Sequence, residues 1–238
     1  MVTPVLTVSA DRDLVERQLA GGLLACPACG TGVLGGHGWV PSRWLRRADG
    51  QVVLLKAHAA GQEKASGTVA GGLRRGKCKG CGVSHVLAPP QVLFRRLDET
   101  RVIGQVLAAR AGGRGYRAIA GLLGRVAAGT VGLAAELGMV RRCVRRFAVN
   151  AGRLRAAFTA LVHQVDASPP VMTSGRGAVA EAVSAVGEAA AAVRRLLGAA
   201  MAAVSPWEVA AAVSHGRLLA ASPPARLFST SGHLEPAM

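Results

Sequence analysis

The stretch "KCKGCGVSH" at residues 77–85 holds two cysteines three positions apart, and a glycine directly follows the second one. A second stretch, "ACPACGTG" at 25–32, repeats this arrangement in a chain that has only five cysteines. The spacing lets both thiolates of a pair reach one ion, and the glycine permits the positive φ that the turn needs. Two such pairs supply the four thiolates that fill a tetrahedral zinc ion and leave no open position. The predicted ligands of this structural zinc are Cys26, Cys29, Cys78 and Cys81.

No secretory signal or membrane span is recognisable in the sequence. The N-terminus has no basic region before its short apolar run. The longest apolar tract, at 178–204, contains Glu181, Glu188, Arg194 and Arg195, which argues against insertion into a bilayer. We therefore expect a cytoplasmic, nucleoid-associated protein without a membrane partner. In that compartment thiols stay reduced, so paired cysteines indicate a metal before they indicate a disulfide.

The two cysteine pairs are separated by 48 residues, more than the roughly 15–20 of the usual spacing. A predicted hairpin and a Gly-rich loop at 59–72 absorb the excess, because the entropy of loop closure grows only logarithmically with length. The alternative is a set of four buried or oxidised cysteines. His37 and His85 are nearby polar groups that stay outside the predicted site, and Cys143 is predicted to be a packing residue.

The chain as a whole is predicted to be mainly α-helical, with a small β zinc ribbon near its N-terminus. Asp49-Gly50 joins two short ribbon strands through a tight turn. Helices are predicted at 91–111, 115–123, about 130–137, 139–163, 178–198 and 206–214, the last with a capping box. The predicted regions are a strand and helix lead-in (1–22), the zinc ribbon (23–90), a helix-turn-helix region (91–165), a linker (166–177), C-terminal helices (178–220) and a disordered tail (221–238).

The charge of the chain points to a polyanionic partner. There are 29 basic and 13 acidic residues, a formal charge of +16, and nucleic acid is the commonest polyanion. Since 25 of the basic residues are arginines in an Ala- and Gly-rich chain, coding bias is an alternative explanation for part of this charge. Residues 95–155, however, hold thirteen arginines and three acidic residues. Bias alone does not explain that concentration.

The same region contains a helix-turn-helix pattern. The motif needs a small residue where two helices touch, a glycine in the turn four positions later, and apolar anchors further on. The stretch "LAAELGMVRRCVRRFA" at 133–148 supplies these as Ala134, Gly138, Val144 and Phe147. It is the preferred of two registers, and Arg141 and Arg142 lie near the start of its second helix, where side chains reach bases or phosphates.

The other register, "RAIAGLLGRVAAGTV" at 117–131, has Ala120 and Gly124, but its next apolar anchor comes one residue late. The alternative to both is an Ala-rich helical hairpin with a solvated basic face. The arginine fork suits guanine and phosphate alike. The predicted DNA-contacting residues are Arg117, Arg125, Arg141, Arg142, Arg145 and Arg146.

These motifs resemble a group of actinobacterial zinc-ribbon plus helix-turn-helix proteins, which are similar to the DNA-binding N-terminal regions of insertion-sequence transposases. The matching pieces, spread over 23–220, are "LLACPACG", "CKGCGVSHVLAP", "VIGQVLAARAGGRGYRAIAGLLGR", "VRRFA" and "SPWEVAAAVSHGRLLA". The resemblance implies four-cysteine zinc binding and recognition of double-stranded DNA by the helical region. Segments 56–76 and 125–143 are longer than the family pattern, and Cys143 stands where an aromatic residue is usual.

No catalytic function is expected from the sequence. The acidic residues after the helix-turn-helix region fall in a linker, Ala-rich helices or the tail, without the strands that a two-metal nuclease core needs. We therefore expect a zinc-stabilised DNA-binding protein, either a transcriptional regulator or a transposase-derived binder, and no small-molecule substrate. The alternatives are a protein-interaction adaptor and a non-catalytic transposase subunit, and the sequence leaves a homodimer open.

Overall fold

The computed structural model describes residues 5–55, 72–93, 96–126, 133–166, 177–198, 203–214, 216 and 218–219. The strands are β1 (Val5–Thr7), β2 (Leu34–Trp39), β3 (Arg43–Arg46), β4 (Val52–Leu55), β5 (Arg74–Cys78) and β6 (Ser84–Ala88). The helices are α1 (Arg12–Ala20), α2 (Thr100–Ala111), α3 (Tyr116–Val126), α4 (Leu133–Val165), α5 (Ala178–Leu197) and α6 (Pro206–Val213). The prediction of a mainly helical chain with a small β region near the N-terminus is confirmed.

The larger sheet has the strand order β1-β6-β5-β2, with β1 parallel to β6 and the other pairs antiparallel. Alternate side chains of β6 face opposite sides of this sheet, as the pleat requires. Leu87 packs with Val15 and Leu19 of α1. Val86 packs on the other side with Leu45 and Leu55 of the hairpin β3–β4. The sheet is therefore buried between a helix and a hairpin.

Local side chains set the start of α1 and the turn of the hairpin, and the predicted Asp49-Gly50 turn is present. The Asp11 carboxylate accepts hydrogen bonds from the backbone amides of Asp13 and Leu14, at 2.9 and 3.2 Å, and so caps α1. In the hairpin, β3 and β4 pair in antiparallel register around a turn in which Gly50 has φ +84°. The Asp49 side chain accepts from the amide of Gln51 at 3.0 Å, which stabilises that turn.

Helix α2 begins at Thr100, nine residues later than the predicted start at 91. The backbone of residues 97–99 pairs with strand β3 instead. The Arg46 amide donates to the Leu97 carbonyl at 2.6 Å, and the Glu99 amide donates to the Arg46 carbonyl at 2.8 Å. These long-range hydrogen bonds satisfy the backbone groups that a helix would otherwise use.

Helix α4 is continuous from Leu133 to Val165, so the predicted break at Gly138 and the preferred helix-turn-helix register at 133–148 are wrong. Met139, Val140, Cys143, Val144 and Phe147 are all buried. Their spacing is that of one apolar helical stripe, which packs into the helical core on both sides of the glycine. A glycine within a helix costs only about 1 kcal/mol relative to alanine, and this packing outweighs it.

The remaining helices form one core with α2, α3 and α4. The predicted helix at 178–198 is confirmed as α5, and α3 extends three residues beyond its predicted end. The predicted capping box of α6 is present: the Ser205 hydroxyl accepts from the Glu208 amide at 3.1 Å, and the Glu208 carboxylate accepts from the Ser205 amide at 2.7 Å. Trp207 of α6 contacts Phe147 of α4 edge-on, with ring centroids 6.3 Å apart.

A buried ion cluster joins the hairpin to the helical core. The Arg46 guanidinium contacts the Asp98 carboxylate at 2.6 Å and also pairs with Glu136 in the first turn of α4. Burial by itself would lower the pKa of Arg46, but the two carboxylates raise it above its ordinary value. The hairpin is therefore held to the N-terminal end of α4 by a charged side chain.

Several predicted segments lie outside the described residues: most of the loop at 59–72, most of the linker at 166–177, the tail at 221–238, and the connection 127–132 between α3 and α4. Within the described ranges, none of the helices combines the length and the apolarity that crossing a bilayer requires.

Candidate metal centre and nucleic-acid interface

The four cysteines of the two motifs come together at one end of the larger sheet. Their Sγ atoms all lie within 4.8 Å of one another. Cys26 and Cys81 are 3.7 Å apart at Sγ, and Cys29 and Cys78 are 3.8 Å apart. A zinc–sulfur bond of about 2.3 Å gives a tetrahedron with edges of about 3.8 Å. The cluster therefore fits a tetrahedral ion of this size, and none of the five cysteines forms a disulfide.

Each cysteine pair sits in a turn closed by the glycine that follows it. Gly30 has φ +74° and Gly82 has φ +73°, a left-handed conformation that glycine adopts without strain. Backbone amides in the turns point at sulfur: the Gly80 amide donates to Cys78 Sγ at 3.3 Å, as the Gly32 amide does to Cys29 Sγ. Such donors stabilise thiolates, which are the form that binds a metal.

The thiol pKa values differ with these surroundings. Hydrogen bonds from the backbone amides of Gly32 and Thr31 lower the pKa of Cys29 to about 6. Amides of Cys81 and Gly80 likewise hold the pKa of Cys78 below its ordinary value. Burial raises the pKa of Cys26 to about 12. At neutral pH Cys29 is therefore largely a thiolate and can bind a metal ion directly, whereas Cys26 must first lose a proton.

Gly32 is a further residue of the centre that the spacing argument did not identify. A Cβ atom built on Gly32 would lie 2.5 Å from Cys78 Sγ and 3.3 Å from Cys29 Sγ. No side chain fits there, because the backbone of the first turn passes directly against the sulfur of the second. The signal in the sequence is the extra glycine in "CGTG", for which the second motif has a serine.

His85, left outside the predicted site, lies against the centre. It is fully buried, and its Nε2 atom is 3.3 Å from Cys26 Sγ. His37, the other histidine considered, is exposed on β2. Cys143 is buried in α4, where its thiol contacts the Met139 sulfur at 3.5 Å, as expected of a packing residue.

The predicted DNA-contacting arginines concentrate on α4. Arg141, Arg142, Arg145 and Arg146 are all exposed there. Arg117 is exposed on α3, whereas the side chain of Arg125 lies outside the described part of the chain.

The exposed face of α4 carries a concentration of positive charge. Glu136 is the only acidic residue of this helix, and it is buried in the ion cluster with Arg46. Among the described residues, no carboxylate forms an ion pair with the four arginines above or with exposed Arg153. Burial is the main cause that lowers the pKa of nearby Arg96, and the positive charge of Arg146 is the second. An anion bound to this face would relieve the repulsion between these two arginines.

A second, smaller basic surface lies on the larger sheet. Arg75 and Lys77 alternate with Gly76 along β5, and Gly76 faces Leu19 of α1, so the two cations point to the opposite side. Lys79 continues this surface across Gly35 of β2. Within the described chain, no carboxylate pairs with any of the three cations.

A cavity of about 520 Å³ lies between α1, the hairpin and the start of α6. Its charged lining residues include the pairs Arg74–Glu16, at 2.8 Å, and Arg101–Glu208, at 3.1 Å. Leu55 and Gly72, which flank the undescribed segment 56–71, also line it. Because these charged side chains are paired with one another, the lining of the cavity gives no indication that it binds a charged ligand.

Comparison of the chain with protein-family models, with curated proteins and with solved structures finds no match. Function must therefore be inferred from the metal centre and the basic surfaces themselves.

Proposed function

We propose that the protein binds double-stranded DNA through the basic face of α4, and that zinc bound by the four cysteines stabilises the β region. The observation that carries this proposal is a group of five arginines on one face of α4, for which the described part of the chain supplies no carboxylate partner and whose helix has no exposed acid. The proposal gives the chain no catalytic role, so it acts as a regulator or as a transposase-derived binder.

The dimensions of the face are compatible with a DNA groove. Arg141 and Arg153 are twelve residues apart, which is about 18 Å along a helix. Arg142, Arg146 and Arg153 follow one another at intervals of four and seven residues, so they project from the same side. An exposed helix of this kind enters the major groove, which is about 12 Å wide. Arginine can contact guanine or phosphate from there.

The centre of this face also has an apolar side chain. Val149 is 73 % exposed and lies between the arginines at 145–146 and Arg153. Apolar contact with the thymine methyl group is one of the ways in which side chains distinguish bases in the major groove. Val149 is therefore the proposed source of a preference for thymine at one position.

The other helix-turn-helix register, 117–131, is wrong as well, because its turn glycine, Gly124, lies within α3. Helices α3 and α4 nevertheless share one core, in which Ala120 is fully buried. We therefore propose that α4 is the DNA-contacting helix and that α3 supports it. The basic surface of Arg75, Lys77 and Lys79 is proposed to give additional phosphate contacts from the sheet.

The test begins with zinc-loaded protein incubated with genomic DNA fragments at physiological salt, followed by sequencing of the retained fragments. Affinity for a retained site is then measured by fluorescence anisotropy over a range of salt concentrations. The slope of log K against log salt should be about −0.9 for each phosphate contacted. Arg145→Ala should lower the specific affinity by about 1–3 kcal/mol if the side chain contacts a base.

The matched control is Arg155→Ala. This arginine lies on the same helix, but its guanidinium is paired with the Glu181 carboxylate at 2.6 Å. We expect its loss to change the affinity much less than the loss of Arg145. Equal effects of the two substitutions would mean that the basic face is not the DNA-binding surface.

An adaptor that binds another protein is the second candidate function. It is favoured by two exposed apolar side chains close to Arg46 in the backbone: Trp44, in the same strand, is 57 % exposed, and Leu97, whose carbonyl accepts from the Arg46 amide, is 62 % exposed. Uniform recovery of all genomic fragments, lost on addition of salt, would favour this function over specific DNA binding.

A further inference from the structure

We propose that His85 is a positioning residue of the metal centre, whose Nε2–H group donates a hydrogen bond to Cys26 Sγ and holds this sulfur as a metal ligand. The inference rests on the proposed metal site but not on DNA binding. Its basis is the 3.3 Å distance between the two atoms and the complete burial of the imidazole.

The position of the imidazole is fixed by the sheet. Strand β6 lies between β1 and β5 and is hydrogen-bonded to both, so its backbone is held on two sides. His85 is registered with Gly76 of β5, and its side chain lies on the side of the sheet that packs against α1. The imidazole is therefore held against Cys26 by a central strand of the sheet, whose backbone is fixed more firmly than that of a loop.

Cys26 and Cys78 are the two buried cysteines of the cluster, and Cys78 Sγ already accepts hydrogen bonds from the amides of Gly80 and Cys81. Cys26 is therefore the sulfur that gains most from a further donor. Cys29 and Cys81 are exposed, so water can approach their sulfurs. Cys26 is 1 % exposed, and water cannot reach it in the same way. A buried thiolate is unstable unless hydrogen bonds or a metal compensate its charge. The imidazole N–H group supplies such a hydrogen bond, in addition to those from the turn.

The geometry favours a donor over a fifth ligand. Four Sγ atoms lie within 4.8 Å of one another, and two of their separations, 3.7 and 3.8 Å, are those of a zinc tetrahedron, so four thiolates can fill the coordination of the ion without a nitrogen. A metal-bound thiolate can only accept a hydrogen bond, so the neutral imidazole must carry its proton on Nε2. Partners of this kind orient the ligands of a metal, and their loss typically weakens metal binding by about 10- to 100-fold.

The experiment is a Co²⁺ titration of the full chain under reducing conditions, followed by competition with Zn²⁺. His85→Leu removes the N–H donor at similar volume, His85→Gln retains a donor, and His37→Leu is the matched control on the same sheet. We expect His85→Leu to bind Co²⁺ about 10- to 100-fold more weakly, with its four-sulfur tetrahedral spectrum retained. The sulfur-to-cobalt charge-transfer band should move to lower energy, because the sulfur lone pairs lose a hydrogen bond.

His85→Gln should recover part of the affinity, and His37→Leu should match the wild type. Unchanged affinity in His85→Leu would overturn the inference. So would a wild-type spectrum typical of three sulfurs and one nitrogen, since His85 would then be a ligand. If His85→Leu does not fold, His85→Gln is compared directly with the wild type. A weaker affinity and a charge-transfer band at lower energy are then expected, and an unchanged affinity and band position would overturn the inference. Failure of the wild type to bind Co²⁺ at all would refute the metal site itself.

Discussion

Replacing Arg46 by methionine should lower the free energy of unfolding of the metal-loaded protein by about 3–5 kcal/mol. The guanidinium is the charged partner of two carboxylates, Asp98 at 2.6 Å and Glu136 in α4. Glu136 is only 1 % exposed, so removal of Arg46 leaves its charge buried without compensation. Methionine preserves most of the aliphatic packing, so the loss of the ion pair dominates the effect.

The measurement is urea denaturation of the full chain with saturating metal, followed by circular dichroism. Arg195→Met is the matched control, because Arg195 pairs with Asp166 at the surface and its side chain is 56 % exposed. Surface pairs of this type contribute about 0–1 kcal/mol. The double variant Arg46→Met/Glu136→Leu should recover part of the lost stability, since it removes the buried charge as well.

A loss in Arg46→Met no larger than in Arg195→Met would refute this reasoning. It would mean that the hairpin separates from α4 at little cost and that solvent reaches Glu136. An additive double variant would lead to the same conclusion, because residues that interact directly are not additive.

Two glycine substitutions test close contacts in the structure. Gly32→Ala should weaken Co²⁺ binding about tenfold or more, because the new Cβ would lie 2.5 Å from Cys78 Sγ. Gly80→Ala is the control in the same titration. It should have little effect, because its Cβ would meet its nearest neighbour at 3.5 Å. Gly104→Ala should cost about 1–3 kcal/mol in urea denaturation, because its Cβ would lie 2.1 Å from the indole of α6. Gly121→Ala has open space around it, so stability equal to or above that of the wild type is expected. Similar stability of Gly104→Ala and Gly121→Ala would contradict the packing of α2 on α6.

The four-cysteine cluster and the ends of several elements follow from local signals in the sequence. The cysteine pairs predicted all four clustered thiols, because the ligands of each pair lie within one turn and the following glycine sets its backbone. Ser205 predicted a helix start for a similar reason: a capping side chain bonds to amides only two or three residues away, as Asp11 also does in α1. Signals of this range do not depend on the rest of the fold.

Features that depend on contacts between distant segments of the chain are fixed only in the folded protein. Whether 97–99 becomes helix or pairs with β3 depends on backbone groups about fifty residues away, and whether α4 breaks at Gly138 depends on the core that packs against its apolar stripe. The contact of His85 with Cys26 joins residues 59 positions apart. Spacing in the sequence cannot show such contacts, because hydrogen bonding and burial between distant segments are fixed only when the whole core is assembled.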